Sequence, residues 1–106
     1  MAADPPSTPF TLLEYEYCAS GDELKRVRQP YLEGHLQALE AESAAGRLYL
    51  YGPLGDPISG GFLVWRETSE EQVRAFMASD PFMAAGLVVK WSIRPYFVVG
   101  GAGAPK

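Results

Sequence analysis

The amino-acid sequence predicts an α+β fold in which two helices cover one face of a four-stranded antiparallel sheet. Three observations carry this prediction. The stretch FTLLEYEYC (10–18) alternates apolar and polar side chains with the period of two that is typical of a strand. Two longer segments place apolar residues at helical spacing, and two short strands lie between them. A long apolar stretch, 87–99, supplies a last strand, so the order is β-α-β-β-α-β, the ferredoxin-like pattern.

The segment after the first strand predicts a helical turn and then a separate helix. DELKRVR (22–28) predicts the short turn. Pro30 suits the first position of a helix, where its missing N–H costs nothing, and Gly46 is expected to end that helix. The predicted buried stripe consists of Leu32, Leu36 and Leu39.

The middle of the chain predicts two strands joined by a loop. RLYLY (47–51) is the second strand, closed by Gly52-Pro53. Residues 54–61 contain three glycines and a proline and therefore predict a loop, and GFLVWR (61–66) predicts the third strand.

The last third predicts the second helix and the final strand. Ser69 and Gln72 have the spacing of a capping box, and the helix they open should end near Asp80-Pro81, because a residue before proline resists the α conformation. Its predicted buried side consists of Val73, Phe76 and Met77. Pro95 within the final strand predicts an edge position or a bulge.

The length of 106 residues predicts one domain, over residues 10–99. Residues 1–9 carry three prolines and residues 100–106 are rich in glycine, so both are predicted to be flexible tails. Two helices cover only one face of the sheet, and the other face would expose Phe, Trp, Tyr and Leu side chains. A patch of that size predicts a partner, most simply a second copy in a homodimer.

Charge and composition exclude several classes of function. A net charge of −4 disfavours nucleic acid, whose phosphates need a basic patch. No run of about 18 apolar residues is present, so no membrane span is predicted. The start MAADPPSTPF lacks the pattern of a secretory signal, and the single cysteine excludes an internal disulfide, so a cytoplasmic location is expected. One histidine with scattered carboxylates makes a poor metal site, so we expect no cofactor and no metal.

The only histidine, His35, lies among leucines in YLEGHLQAL (31–39). In the predicted topology the start of the first helix and the end of the second lie at the same end of the sheet. His35 would lie roughly 8 Å beyond Pro30, where Asp80 can approach it. An imidazole beside a carboxylate is the usual arrangement of a general base. Two structural readings remain open: His35 as a core-edge residue bonded to a carbonyl, and Asp80 as the N-cap of a short turn.

Four motifs in this order resemble the YciI-like (YCII-related) family of small dimeric α+β barrel proteins. They are Arg28 and Pro30 leading into His35-Leu36, AAGRLYLYGPLGD (44–56), SDPFMAAGLV (79–88) and IRPYF (93–97). The resemblance implies a catalytic dyad of His35 and Asp80. Many members carry an arginine three residues before the histidine, where this chain has Leu32, so Arg28 would have to bind an anionic substrate instead.

The resemblance implies a cofactor-independent lyase or isomerase that transfers a proton on a small, phenolic or ring-breakdown metabolite. Glu14 is a further candidate for substrate binding, because it and Glu16 share one face of the first strand. Solvated carboxylates or an interface pair are the alternative for these two residues. The alternative function is a non-catalytic module of the same fold that binds a small ligand or serves as an accessory subunit.

Overall fold

The structure, a computed structural model, describes residues 6–105 of the chain. Within them the elements are β1 (Thr8–Tyr17), α1 (Gly21–Ala44), β2 (Leu48–Leu54), β3 (Gly60–Arg66), α2 (Glu70–Ser79), α3 (Pro81–Ala84) and β4 (Val88–Val98). The strands form one antiparallel sheet in the order β2-β3-β1-β4. The α+β, ferredoxin-like prediction is thus confirmed.

The hydrophobic core lies between the sheet and the helices, and the alternation of β1 determines which side chains enter it. Leu13 and Tyr15 are buried, whereas Glu14 and Glu16 are exposed on the opposite, helix-free face. The core also receives buried side chains from α1, α2, β2 and β3, among them Leu39, Leu48, Leu63, Trp65, Val73, Phe76 and Met77. The three predicted core residues of α2 are therefore confirmed.

Helix α1 is one continuous helix, which corrects the predicted break between residues 22–28 and Pro30. Pro30 removes one helical hydrogen bond to the carbonyl of Arg26, but both residues lie on the exposed side, where water can replace the lost partner. Leu24 before the proline and Leu39 after it are both buried, so packing holds the two halves in line. The helix ends before Gly46 as predicted, with that glycine at a left-handed φ of 82°.

The buried stripe of α1 also differs from the prediction. Its buried residues are Leu24, His35 and Leu39, whereas Leu36 is 42% exposed. His35 lies fourteen residues after the start of the helix at Gly21, not in its early turns. Because the helix begins at Gly21 and not at Pro30, the positive end of the helix dipole lies several turns away from the His35 ring.

Strand β2 extends through Gly52 and Pro53, which were predicted to close it. A proline is tolerated there because β2 is an edge strand. Strand β4 forms the other edge and contains Pro95, opposite Thr11, which confirms the edge prediction for that proline.

The second helix and the turn after it follow the predicted capping signals. Ser69 accepts from the backbone N–H of Gln72, and the Gln72 side chain accepts from the Ser69 N–H, so the capping box is confirmed. Helix α2 ends at Ser79, and the next residue, Asp80, serves as the N-cap of α3.

The ends of the chain only partly fall within the described residues. Thr8 and Pro9 belong to β1, so the strand begins earlier than predicted, while the rest of the proposed N-terminal tail lies mostly outside residues 6–105. Residues 100–105 lie against one end of the helix-free face, where the Tyr49 hydroxyl donates to the Gly103 carbonyl at 2.9 Å.

Candidate active site

His35 and Asp80 meet in the interior, although they are 45 positions apart in sequence. Helix α1 supplies the histidine, and the junction of α2 with α3 supplies the aspartate. The His35 Nδ1 lies 2.7 Å from the Asp80 Oδ1, the histidine side chain is 8% exposed, and the aspartate side chain is fully buried. The structure thus brings together the two residues in which the sequence predicted a dyad.

The Asp80 carboxylate is held by three hydrogen bonds from three elements. Oδ1 accepts from the backbone N–H of Phe82 at 3.0 Å in addition to its contact with His35. Oδ2 accepts from the hydroxyl of Tyr15 at 3.0 Å. Asp80 therefore caps α3 as one structural reading predicted, and the same carboxylate also contacts His35.

The carboxylate determines which tautomer of His35 the site favours. An ionised carboxylate can only accept hydrogen bonds, so Nδ1 must carry the proton that lies between the two groups. In the neutral ring Nε2 then holds a free lone pair, and within residues 6–105 it has no hydrogen-bond partner. This arrangement leaves Nε2 free to accept a proton from a bound molecule.

Two aromatic side chains fix the geometry around the pair. Phe82 stacks on the His35 imidazole with ring centroids 3.7 Å apart and planes at 3°. Burial, followed by the charge of Asp80, holds the pKa of the Tyr15 hydroxyl well above its usual range. Tyr15 therefore stays protonated and remains a donor to the carboxylate.

A cavity of about 190 Å³ opens beside His35, between α1, the β2–β3 half of the sheet and α3. Its walls are mostly apolar and include Leu32, Leu36, Leu39, Leu63 and Phe82. The ionisable side chains that reach it from the helices are those of His35 and Arg28. Such a mostly apolar lining lowers the local dielectric and strengthens electrostatic interactions inside the cavity.

Of the two predicted substrate-binding residues, Arg28 lines the cavity and Glu14 does not. Arg28 is half-buried and forms no salt bridge within residues 6–105. Leu32, three residues before His35, lines the same cavity one turn further along α1. Glu14 does not reach the cavity, because it lies on the opposite face of the sheet from the buried Leu13 and Tyr15.

The sequence did not identify Tyr15, Tyr17 or Phe82 as parts of this site. Tyr15 and Tyr17 share the buried face of β1 with Leu13, and that pattern by itself indicates core packing. Phe82 lies two residues after Asp80 in the DPF motif. The local sequence signal for its position was the expected N-cap at Asp80, whose side chain accepts from the backbone N–H of Phe82.

The fold and the site together define a small α+β domain with a buried histidine–aspartate pair beside an apolar cavity. The model of the YCII-related domain matches residues 10–96, and the chain belongs to that family. The uncharacterized protein YjpA of Bacillus subtilis (strain 168) is 27% identical over 84 residues, which cover 76% of this chain and 98% of YjpA.

Two solved structures also resemble the fold. One is 5-chloro-2-hydroxyhydroquinone dehydrochlorinase (TftG) from Burkholderia phenoliruptrix AC1100 in complex with 2,5-dihydroxybenzoquinone. It has a TM-score of 0.66 and 27% identity, and the match covers 80% of this chain and 90% of that chain. The other is NE2512, a protein of unknown function from Nitrosomonas europaea, with a TM-score of 0.49 and 15% identity over 94% of this chain and 97% of that chain.

Neither a metal-binding cluster nor a membrane-spanning helix occurs in the described part of the chain. Across residues 6–105 there is no group of three or more His, Cys, Asp or Glu side chains arranged to hold a metal ion. No helix in that range combines the length and the apolar character needed to cross a membrane.

Proposed function

We propose that the protein is a cofactor-independent lyase- or isomerase-type enzyme in which His35 and Asp80 transfer a proton on a small hydroxylated-ring metabolite. The observation that carries the proposal is the buried contact of 2.7 Å between His35 Nδ1 and Asp80 Oδ1, beside an apolar cavity. A core histidine needs only a satisfied nitrogen, whereas this one has a buried carboxylate behind it and a cavity in front of it.

The proposed first step moves the proton of a ring hydroxyl group to His35 Nε2, and the electron pair of the broken O–H bond stays on that oxygen. The imidazolium that forms is stabilised by the Asp80 carboxylate, and the negative charge remains on the ring oxygen of the substrate. Arg28 lies on the cavity wall without an acidic partner in the described residues and would offset that charge. The imidazolium then gives a proton to a ring carbon, which forms the keto tautomer, and reversal of this step exchanges hydrogen at that carbon. General-base catalysis of this kind contributes about 10²- to 10⁴-fold in rate.

The size of the cavity and the TftG comparison both support a single-ring substrate. A dry cavity of roughly 150 Å³ is known to hold benzene, so about 190 Å³ suits one ring with small substituents. TftG is named for its action on 5-chloro-2-hydroxyhydroquinone, and its structure contains a dihydroxybenzoquinone. We carry over the class of substrate, a hydroxylated ring, and not that particular compound.

The proposal includes a homodimer that acts in the cytoplasm. The helix-free face of the sheet carries apolar side chains from all four strands, among them Leu12, Leu50, Phe62, Val64, Tyr96 and Val98. Leu50 is 61% exposed and Tyr96 is 50% exposed in the single chain. A second copy would remove this surface from water.

The proposal is tested by measuring proton transfer between the protein and the substrate ring. The protein is incubated anaerobically in D2O with 1,2,4-trihydroxybenzene, and deuterium entry at the ring carbons is followed by NMR. Chloride release from 5-chloro-2-hydroxyhydroquinone is measured in parallel. We expect His35→Gln to lower either rate by about 10²- to 10⁴-fold and Asp80→Asn to lower it as well, because Asn keeps the cap but cannot stabilise an imidazolium.

The same experiment separates catalysis from binding alone. Equal rates in the parent protein and in His35→Gln would contradict the proposed base. Tight binding of 2,5-dihydroxybenzoquinone by a parent protein that accelerates neither reaction would indicate the ligand-binding alternative.

A further inference from the structure

The hydroxyl of Tyr17 lies at the wall of the same cavity, next to Gly61 of β3. Both residues line the cavity. A Cβ atom built on Gly61 would lie 2.8 Å from the Tyr17 Oη, closer than packed atoms approach. The glycine therefore leaves the space that this hydroxyl occupies, although glycine in the interior of a strand carries an entropic cost.

The Tyr17 hydroxyl has no hydrogen-bond partner within residues 6–105, in contrast to Tyr15, which donates to Asp80, and it remains accessible to a molecule in the cavity. The ring is fixed by an edge contact with Phe82, with centroids 5.8 Å apart at 81°. A phenylalanine would provide the same packing without a polar group in an apolar wall. The Tyr17 hydroxyl, on the cavity wall without a protein partner, is therefore placed to form a hydrogen bond with a bound ligand.

The hydroxyl can donate but not ionise at neutral pH. Burial, followed by the negative charge of Asp80, raises the pKa of Tyr17 to about 12, with Arg28 acting in the opposite direction. Tyr17 thus presents an O–H group to the cavity throughout the physiological range, close enough to the guanidinium of Arg28 for the two to interact electrostatically.

We propose that Tyr17 donates a hydrogen bond to the substrate oxygen that carries the negative charge after His35 has taken the proton. This proposal rests on the proposed function and specifies its substrate: a single ring with an acidic hydroxyl group, bound as the oxyanion between Tyr17 and Arg28. Donors preorganised toward a developing oxyanion are among the strongest sources of transition-state stabilisation. His35 then acts as the base, and Tyr17 acts as the oxyanion donor.

The experiment compares an ionised and a neutral ring of similar shape. The probes are 2,5-dihydroxybenzoquinone, which is ionised at neutral pH, and 2,5-dimethyl-1,4-benzoquinone, which is not. All proteins carry Cys18→Ser, because this exposed thiol would add to quinones. Dissociation constants are measured for this parent protein, for Tyr17→Phe, for Gly61→Ala and for the control Tyr31→Phe, whose exposed ring lies outside the cavity lining.

We expect Tyr17→Phe to weaken binding of the dihydroxyquinone by roughly 10- to 100-fold, the usual effect of one hydrogen bond to a charged acceptor. Binding of the dimethylquinone should change less than about threefold. Gly61→Ala, which displaces the hydroxyl without removing it, should also weaken binding of the ionised ring selectively. Tyr31→Phe should bind both probes as the parent protein does.

Equal binding of the ionised quinone by Tyr17→Phe and the parent protein would overturn the proposal, as would a parent protein that does not prefer the ionised ring. Failure of the proposed function itself would appear elsewhere, as proton exchange that survives in His35→Gln. Loss of exchange in His35→Gln together with unaltered binding and exchange in Tyr17→Phe would leave the dyad in place and remove only the role of Tyr17.

Discussion

At the scale of single residues, the two oxygens of Asp80 join three parts of the fold. Tyr15 donates to the carboxylate from β1, His35 from α1 and the backbone of Phe82 from α3. No water is needed to satisfy this carboxylate, because protein donors surround it. A buried carboxylate that loses one of these donors is left partly unpaired, which costs more than the bond contributes to net stability.

We therefore expect Tyr15→Phe to lower the free energy of unfolding by about 1–3 kcal/mol, since Oδ2 of Asp80 would lose its hydrogen bond in the interior. Urea denaturation followed by circular dichroism measures this change. Tyr31→Phe, at an exposed position, is the matched control and should be near neutral. A neutral Tyr15→Phe would mean that Oδ2 gains another partner in the folded protein.

The sequence predicted His35 and Asp80 because each lies at a recognisable landmark, the only histidine and a DP junction. Tyr15 and Tyr17 could not be assigned in the same way. Both alternate inward on β1, but a register irregularity lies between Glu16 and Tyr17 opposite β4. Tertiary packing determines that Tyr15 contacts Asp80 and Tyr17 lines the cavity, and the local sequence pattern does not predict this.

At the scale of elements, short-range signals predicted the ends of helices better than their continuity. The capping box at Ser69 and the glycine after α1 act within one turn, and both predictions are confirmed. Pro30 is an equally local signal for a break, but burial of Leu24 and Leu39 on either side overrides it. Long-range packing decided this case, and the sequence pattern did not contain that information.

The continuity of α1 can be tested at the proline. In the interior of a helix proline is about 3 kcal/mol less favourable than alanine, whereas at the first helical position the two residues differ little. We expect Pro30→Ala to raise the free energy of unfolding by about 1–3 kcal/mol. Gln29→Ala, a change at the exposed neighbouring position, is the control and should be nearly neutral. An unchanged stability in Pro30→Ala would instead indicate that a separate helix begins there.

At the scale of the whole molecule, the two faces of the sheet differ in what covers them. The helices cover one face and enclose the proposed site. On the other face, residues 100–105 cover only one end, next to Tyr49. The sequence predicted an uncovered apolar face but not which aromatic side chains lie on it. Both tryptophans prove to be on the helix side, since Trp65 is fully buried and Trp91 packs on Arg74 of α2.

The proposed dimer is best tested where a charge would meet only apolar neighbours. Val64 lies on the helix-free face and pairs with Leu12 on one side and Leu50 on the other. We expect Val64→Glu to give a folded monomer, because the carboxylate reaches water in a single chain but would be buried without a partner between two copies. Tyr31→Glu, on the exposed side of α1, should leave assembly unchanged. Sedimentation velocity at micromolar concentration measures the mass. A parent protein that sediments as a monomer would contradict the proposed interface, and a dimeric Val64→Glu would place the interface elsewhere.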